Sequence, residues 1–189
     1  MPSAQFCVVY VLCACLMGGV WMQRMASQAE AQREQGPAKI ARKAPTMRLE
    51  SEGGRAFSFA PYRGRWRMVN FWATWCEPCR REMPALERLA RSFPQEKLPI
   101  VLLAVSVDQE WSLIHDFLRK HPFFRGTSLS MRIVRDAGGV MALRYGTQKF
   151  PETYLIDPNG RLRAKWVGAL EWDSPQILAQ LRQLVGRVQ

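Results

Sequence analysis

From about position 44 onward the chain alternates short apolar runs with stretches in which apolar residues recur every three or four positions. Met47 to Glu50 and Ala56 to Phe59 are strand-like runs on either side of Gly53-Gly54, which predicts a hairpin. Trp66 to Ala73 is a longer apolar strand. Leu98 to Val107 is nearly continuous and rich in β-branched residues, as expected of a strand buried on both faces. Between them, from Pro78 to about Phe93, Met83, Leu86, Leu89, Ala90 and Phe93 share one helical face. Trp111 to about Lys120 is again helical, with Trp111, Ile114, Phe117 and Leu118 on one side. Leu129 to Val134 is a candidate strand and Gly139 to Tyr145 a short helix. Thr153 to Asp157 and Leu162 to Val167 read as strands joined by a tight Pro158-Asn159-Gly160 turn. Ser174 caps a closing helix that runs to about Val188, with Pro175 in its first turn. Strands that alternate with helices and then meet an antiparallel hairpin predict an α/β domain, a mixed central sheet flanked by helices with an N-terminal β-hairpin. There is no internal repeat.

The first 44 residues follow a different pattern. Phe6 to Met22 contain no charged side chain and are almost all apolar, a run at the short end of what crosses a bilayer as a helix. The start, Met-Pro-Ser-Ala-Gln, has no Lys or Arg, so an uncleaved signal anchor is favoured over a cleaved signal peptide. Leu12-Cys13-Ala14-Cys15 also resembles a bacterial lipobox, with Cys15 as the acylated residue, although the apolar run continues past it. Residues 23–44 are polar and Ala-rich, punctuated by Gly36-Pro37 and followed by Pro45, and read as a tether. Its basic residues either rest on anionic headgroups or are simply solvated. The division is therefore a membrane segment at 1–22, a linker at 23–44 and a folded domain at 45–189. Arg24, Arg33, Lys39, Arg42 and Lys43 all follow the apolar run, which by the positive-inside rule places the domain in the cytoplasm.

Composition narrows the choice of chemistry. The chain is 48% hydrophobic, enough for an ordinary core, and carries a net charge of +11. That charge is spread along the sequence without a dense basic block, and no nucleic-acid motif accompanies it, so nucleic-acid binding is not expected. Of the five cysteines, Cys7, Cys13 and Cys15 lie in the apolar run, leaving Cys76 and Cys79 for the domain. Two cysteines at this spacing make either a redox pair or half of a metal site. A zinc site needs a second pair of ligands, and the candidates, His115 and His121, lie on different faces of one helix or beyond its end.

The stretch Asn70-Phe71-Trp72-Ala73-Thr74-Trp75-Cys76-Glu77-Pro78-Cys79 ends a buried strand and opens a helix at the Cys-x-x-Cys. Unpaired backbone N–H groups and the positive end of the helix dipole converge on the first cysteine and favour thiolate over thiol, which makes Cys76 the expected nucleophile. Cys79, one turn later, is placed to attack a mixed disulfide on Cys76 and release the product. Arg80 and Arg81 either stabilise the thiolate, recruit an acidic partner or form a solvated face. The seven tryptophans and nine methionines are scattered and read mostly as core or anchor residues.

These residues resemble the thioredoxin superfamily, and within it the TlpA/ResA-like branch, over about three quarters of the chain. Phe71-Trp72-Ala73-Thr74-Trp75-Cys76 matches the strand leading to the active site, and Glu77-Pro78 is the ResA-like dipeptide. Pro84 stands where the family has a helix-kinking proline. Phe150-Pro151-Glu152-Thr153-Tyr154-Leu155-Ile156-Asp157 matches the cis-proline loop and the strand after it. The resemblance implies a thioredoxin fold, a cis Pro151 facing the cysteines and keeping a backbone edge free for an extended substrate, and an active-site glutamate at Glu82. Such a carboxylate moves protons during exchange and raises thiol pKa values; the alternative for Glu82 is a solvated helix residue. Thioredoxin has a buried aspartate where this chain has Asn70, which cannot accept a proton and leaves that role to Glu82.

The resemblance further implies a membrane-anchored thiol–disulfide oxidoreductase on the periplasmic or outer side of a bacterial inner membrane, against the charge rule above. It would need no cofactor beyond its own Cys76–Cys79 disulfide. The implied substrates are extracytoplasmic proteins such as apocytochrome c or copper-centre assembly factors, with a membrane electron donor of the DsbD/CcdA type. Two rivals stand beside this reading. One is a peroxiredoxin-like thiol peroxidase, whose peroxidatic cysteine needs a Thr or Ser three residues earlier, where this chain has Ala73. The other is a non-enzymatic metal-binding module built on the same thiols.

Overall fold

The computed structural model describes residues 37–126 and 128–186. The apolar segment expected at 1–22, with Cys7, Cys13 and Cys15, and the tether up to position 36 lie outside the described residues. No helix among the described residues is long and apolar enough to cross a membrane.

One sheet of eight strands organises the domain, in the order β1-β8-β7-β4-β5-β6-β2-β3. Its centre is β4 (Trp66–Trp72), paired in parallel with β5 (Ile100–Ser106) and antiparallel with β7 (Glu152–Ile156). On one side β5 runs parallel to β6 (Arg132–Arg135). On the other, β7 is antiparallel to β8 (Leu162–Val167). Met68 through Trp72 are all fully buried. Consecutive strand residues point to opposite faces, so both faces of the sheet centre are covered. The mixed α/β architecture read from the sequence is the one observed, and it is a thioredoxin-type sheet.

Among the described residues four α-helices accompany the sheet: α1 (Glu77–Ser92), α2 (Trp111–Lys120), α3 (Val140–Tyr145) and α4 (Pro175–Gly186). Helix α1 buries Met83, Leu86, Leu89 and Ala90, the face expected from their spacing. Ser174 accepts a hydrogen bond from the Ile177 N–H at 3.4 Å at the start of α4. At the β7–β8 turn, Gly160 takes φ +79°, a conformation that favours glycine.

The edges depart from the sequence expectation in three places. Ala38–Lys39 (β1), expected in the linker, pairs antiparallel with β8, so ordered structure starts ahead of position 45. The hairpin strands are short, with β2 (Glu50–Ser51) on β3 (Arg55–Ala56), and the pairing continues only through the Phe57 N–H to Leu49 carbonyl bond. Strand β6 begins at Arg132 rather than Leu129 because the Ser130 and Met131 N–H groups are taken by the carboxylate of Glu87, at 2.9 and 3.0 Å. Glu87 is completely buried in α1 and pairs with Arg91 as well, and its donors lie on a loop that apolar periodicity cannot reveal.

Candidate functional site

Strand β4 ends at Trp72 and α1 begins at Glu77, so the intervening loop carries Cys76 to the C-terminal end of the sheet's central strand. Cys76 is the N-cap of α1, with φ −88° and ψ 104°, and its sulfur accepts from the Cys79 N–H at 3.3 Å. The two cysteines are joined in a disulfide with a Cα–Cα distance of 5.3 Å. They differ in access. Cys76 is 6% exposed and Cys79 is not exposed at all.

The loop is held from the side by Asp108. Its carboxylate accepts from the Thr74 N–H at 3.0 Å, the Thr74 hydroxyl at 2.8 Å and the Ser106 hydroxyl at 2.6 Å. These bonds join the turn before Cys76 to the end of β5. Asp108→Ala leaves one buried and two half-buried donors without an acceptor and is expected to lower stability by about 2–4 kcal/mol. A urea midpoint that falls at unchanged slope would show this, and an unmoved midpoint would remove Asp108 from the account.

Glu82 lies one turn beyond Cys79 on the inner side of α1, 3% exposed. The solvated alternative for this residue is therefore overturned. Its carboxylate accepts from the Trp172 indole N–H at 2.6 Å, the Asn70 amide at 2.8 Å and the Leu170 backbone N–H at 3.2 Å. Burial pushes its pKa up from 4.5 to about 7, and the three hydrogen bonds, Trp172's foremost, work against that rise. Asn70 spends its second amide hydrogen on the Thr153 hydroxyl at 3.0 Å, across the β4–β7 pair. The carboxyl is thus a buried group whose pKa is pushed toward neutrality, one helical turn from the buried Cys79.

The Phe150–Pro151 peptide is cis, directly before β7. The Pro151 carbonyl accepts from the Gly168 N–H at 2.9 Å. The Phe150 ring meets that of Trp75 edge-on, with centroids 5.8 Å apart, which places this loop beside the loop of Cys76. Buried Glu152 follows, paired with Lys165 at 2.8 Å and accepting from the Tyr154 hydroxyl at 2.7 Å. Arg80 and Arg81 stay on the exposed face of α1, each 3.4 Å from Glu77.

A groove of about 580 Å³ opens beside Trp75 and Phe150, the residues that precede Cys76 and cis Pro151. Trp75, Leu113, Val140 and Leu143 line it with Phe150, and these first four are among only five large apolar side chains exposed in the described residues. Hydrophobic surface concentrated in this way marks a contact site. His115 pairs with Glu52 at 3.0 Å and His121 ends α2. No group of three or more His, Cys, Asp or Glu among the described residues stands together as a metal site.

Sequence reasoning brought Cys76, Cys79, Glu82 and Pro151 forward. It missed Asp108, Trp172 and Glu152. Of these only Trp172 had a usable signal, a large aromatic in the loop ahead of a helix cap, and nothing in its spacing tied it to Glu82.

The AhpC/TSA family model matches residues 40–165. The chain is 32% identical to the thiol-disulfide oxidoreductase ResA of Geobacillus thermodenitrificans, over 67% of this chain and 68% of that protein. It is 29% identical to the thioredoxin-like protein YneN of Bacillus subtilis, over 67% of this chain and 71% of the relative. A crystal structure assigned to a DsbE-type thiol:disulfide interchange protein of Chlorobium tepidum superposes with a TM-score of 0.65 at 24% identity, covering 80% of this chain and all of that one, which supports the fold. With the disulfide, the buried carboxyl and the cis-proline loop gathered at the end of one sheet, the chain belongs to the AhpC/TSA family and, within it, to the ResA-type thiol–disulfide oxidoreductases.

Proposed function

We propose that this oxidoreductase is a membrane-anchored reductase that opens disulfides in proteins outside the cytoplasm. The observation that carries the reading is the asymmetry of the cysteine pair. Cys76 keeps a small exposed area, 6%, and Cys79 none, while the buried Glu82 carboxyl follows Cys79 by one helical turn. In the reduced enzyme the Cys76 thiolate, at the N-terminus of α1, attacks one sulfur of the substrate disulfide and expels the other as a thiolate. Glu82 takes the Cys79 proton, and the Cys79 thiolate then attacks Cys76. The intramolecular disulfide forms as the substrate's second sulfur leaves. Two electrons pass from the enzyme to the substrate, and no cofactor other than the cysteine pair is needed.

The loop ahead of cis Pro151, whose own carbonyl is taken by Gly168, presents the backbone of Phe150 to an extended substrate, and the apolar groove accommodates the side chains that flank its cysteine. Unfolded apocytochrome c and copper-centre assembly factors have this chemistry, and the resemblance to ResA favours them. A DsbD/CcdA-type membrane protein would return the electrons. The apolar run at Phe6 to Met22 supports anchoring, with the domain on the periplasmic or outer face. Activity of a C-terminal reporter that works only in the cytoplasm would reject that placement. Ala73 is buried, and its carbonyl is held by the Cys76 N–H at 3.2 Å, an arrangement without the hydroxyl that a peroxidase requires.

The test is the reduction potential of the Cys76–Cys79 couple in the purified protein. A value at or below about −250 mV, toward thioredoxin, is expected of a reductase. A value near about −120 mV, toward DsbA, would make the protein an oxidant and reverse the proposed electron flow.

A further inference from the structure

Trp172 lies outside every motif that resembles the family, in the loop between β8 and α4, and it is completely buried. Its ring packs edge-on against Trp166 with centroids 5.6 Å apart, which fixes the indole. The indole N–H is a donor only, and its sole acceptor is the Glu82 carboxylate, at 2.6 Å. Of the three donors to that carboxylate it is the nearest, and the same oxygen also receives the Leu170 N–H from two residues upstream. One short loop, remote in sequence from the cysteines, therefore holds one oxygen of the buried carboxyl, and Asn70 of β4 holds the other.

We propose that Trp172 is a positioning residue for disulfide exchange, fixing the Glu82 carboxylate beside Cys79 and setting the pH range over which the resolving step runs. The inference rests on the reading of Glu82 as the acceptor of the Cys79 proton. In that step the Cys79 S–H gives its proton to the Glu82 carboxylate. The new thiolate attacks the Cys76 sulfur, the Cys76–Cys79 bond forms, and the substrate sulfur leaves with the bonding pair. A hydrogen bond from Trp172 stabilises the carboxylate more than the neutral acid, so it keeps Glu82 able to accept at lower pH. The groups that hydrogen-bond to Glu82 are Asn70 from β4 and Trp172 and Leu170 from the loop after β8, with Cys79 one turn earlier on α1 itself; Thr153 of β7 reaches it through Asn70. No charged side chain of the described residues forms a hydrogen bond or ion pair with it. Its proton affinity is therefore set by burial and by these neutral donors.

The experiment uses Trp172→Phe, with two readouts. The first is the carboxyl resonance of Glu82, titrated by carbon-13 NMR in the oxidised protein, a measurement that does not depend on activity. The second is the acidic limb of the pH profile for insulin disulfide reduction with dithiothreitol as electron source. Both are expected to move to higher pH by about one unit, so that turnover on the acidic limb falls about tenfold and recovers in alkaline buffer. In a Glu82→Gln background, Trp172→Phe should cause no further displacement of the limb. Where the phenylalanine variant fails to fold, replacing Trp172 by its benzothiophene isostere keeps both rings and removes only the N–H. An unmoved Glu82 titration overturns the proposal, as does a loss of turnover that is uniform across pH. A Glu82 titration that moves while the rate limb does not also overturns it, and takes with it Glu82's part in exchange. Failure of the unmodified protein to reduce insulin at any pH would instead reject the proposed function.

Discussion

Cys79→Ser should accumulate a mixed disulfide with its substrate on Cys76, whereas Cys76→Ser should accumulate none and lose turnover by a factor on the order of a thousand or more. The difference follows from access. Cys76 caps α1 at the surface end of the loop, and the Cys79 N–H points at its sulfur from 3.3 Å, so negative charge on that sulfur is supported by the helix N-terminus. Cys79 sits wholly inside, where no substrate sulfur can approach it without displacing the loop. With serine at 79 the first attack proceeds and the release step has no nucleophile. With serine at 76 neither step occurs, because a hydroxyl at this position has no adjacent base. Non-reducing gels after incubation with a disulfide-containing protein, followed by mass spectrometry of any adduct, separate the two outcomes. Adducts on Cys79 in the Cys76→Ser protein, at the yield of the reverse variant, would invert the assignment of nucleophile and resolving cysteine.

The cysteine pair was legible in the sequence because its pattern is local. A strand end, a two-cysteine spacing and a helix start lie within ten consecutive residues, Asn70 to Cys79, and each is a short-range pattern. The central strands were legible for the same reason: β5 is buried throughout and apolar up to its last residue, Ser106, and β4 is apolar except at Arg67 and Asn70. What escaped depends on contacts between distant positions. Glu82 came forward through the family resemblance alone, and its partners escaped: β4 supplies Asn70 and the loop after β8 supplies Trp172 and the Leu170 N–H. Asp108 and Thr74 are 34 positions apart and meet only because β4 and β5 are parallel neighbours with Trp72 opposite Ser106. The late start of β6 has the same origin, since its first N–H groups belong to Glu87, far back in α1. Buried polar pairing of this kind leaves no periodic trace, because each polar residue is unremarkable alone and is satisfied only by the assembled fold.

Glu82→Gln is expected to make the oxidised protein more stable at alkaline pH while slowing its exchange chemistry. In the folded protein Glu82 holds its proton until about pH 7, whereas the unfolded chain releases it near the ordinary carboxyl value of 4.5. Between those values the folded state binds more protons, so raising the pH removes stability across that window and not below it. A carboxyl raised from 4.5 to about 7 corresponds to about 3 kcal/mol of stability present in acid and gone in mild alkali. Glutamine stays neutral throughout. Its carbonyl can accept from Trp172 and Leu170 as the carboxylate does, and once the Asn70 amide turns over, its NH2 can donate to the Asn70 oxygen, which in the unmodified protein is buried without a partner. The gap between the two proteins, Glu82→Gln minus unmodified, should therefore widen in favour of glutamine by about 3 kcal/mol from pH 4 to pH 8 in urea titrations of the disulfide form. Parallel pH profiles would show that Glu82 is not the group that titrates. The kinetic effect runs the other way. Glutamine cannot take the Cys79 proton, and loss of a positioned proton acceptor is expected to slow the resolving step by about a hundredfold. A residue whose removal strengthens the fold and weakens the chemistry is kept for the chemistry, and the buried charge it carries above neutrality is the cost of moving a proton next to a cysteine that water does not reach.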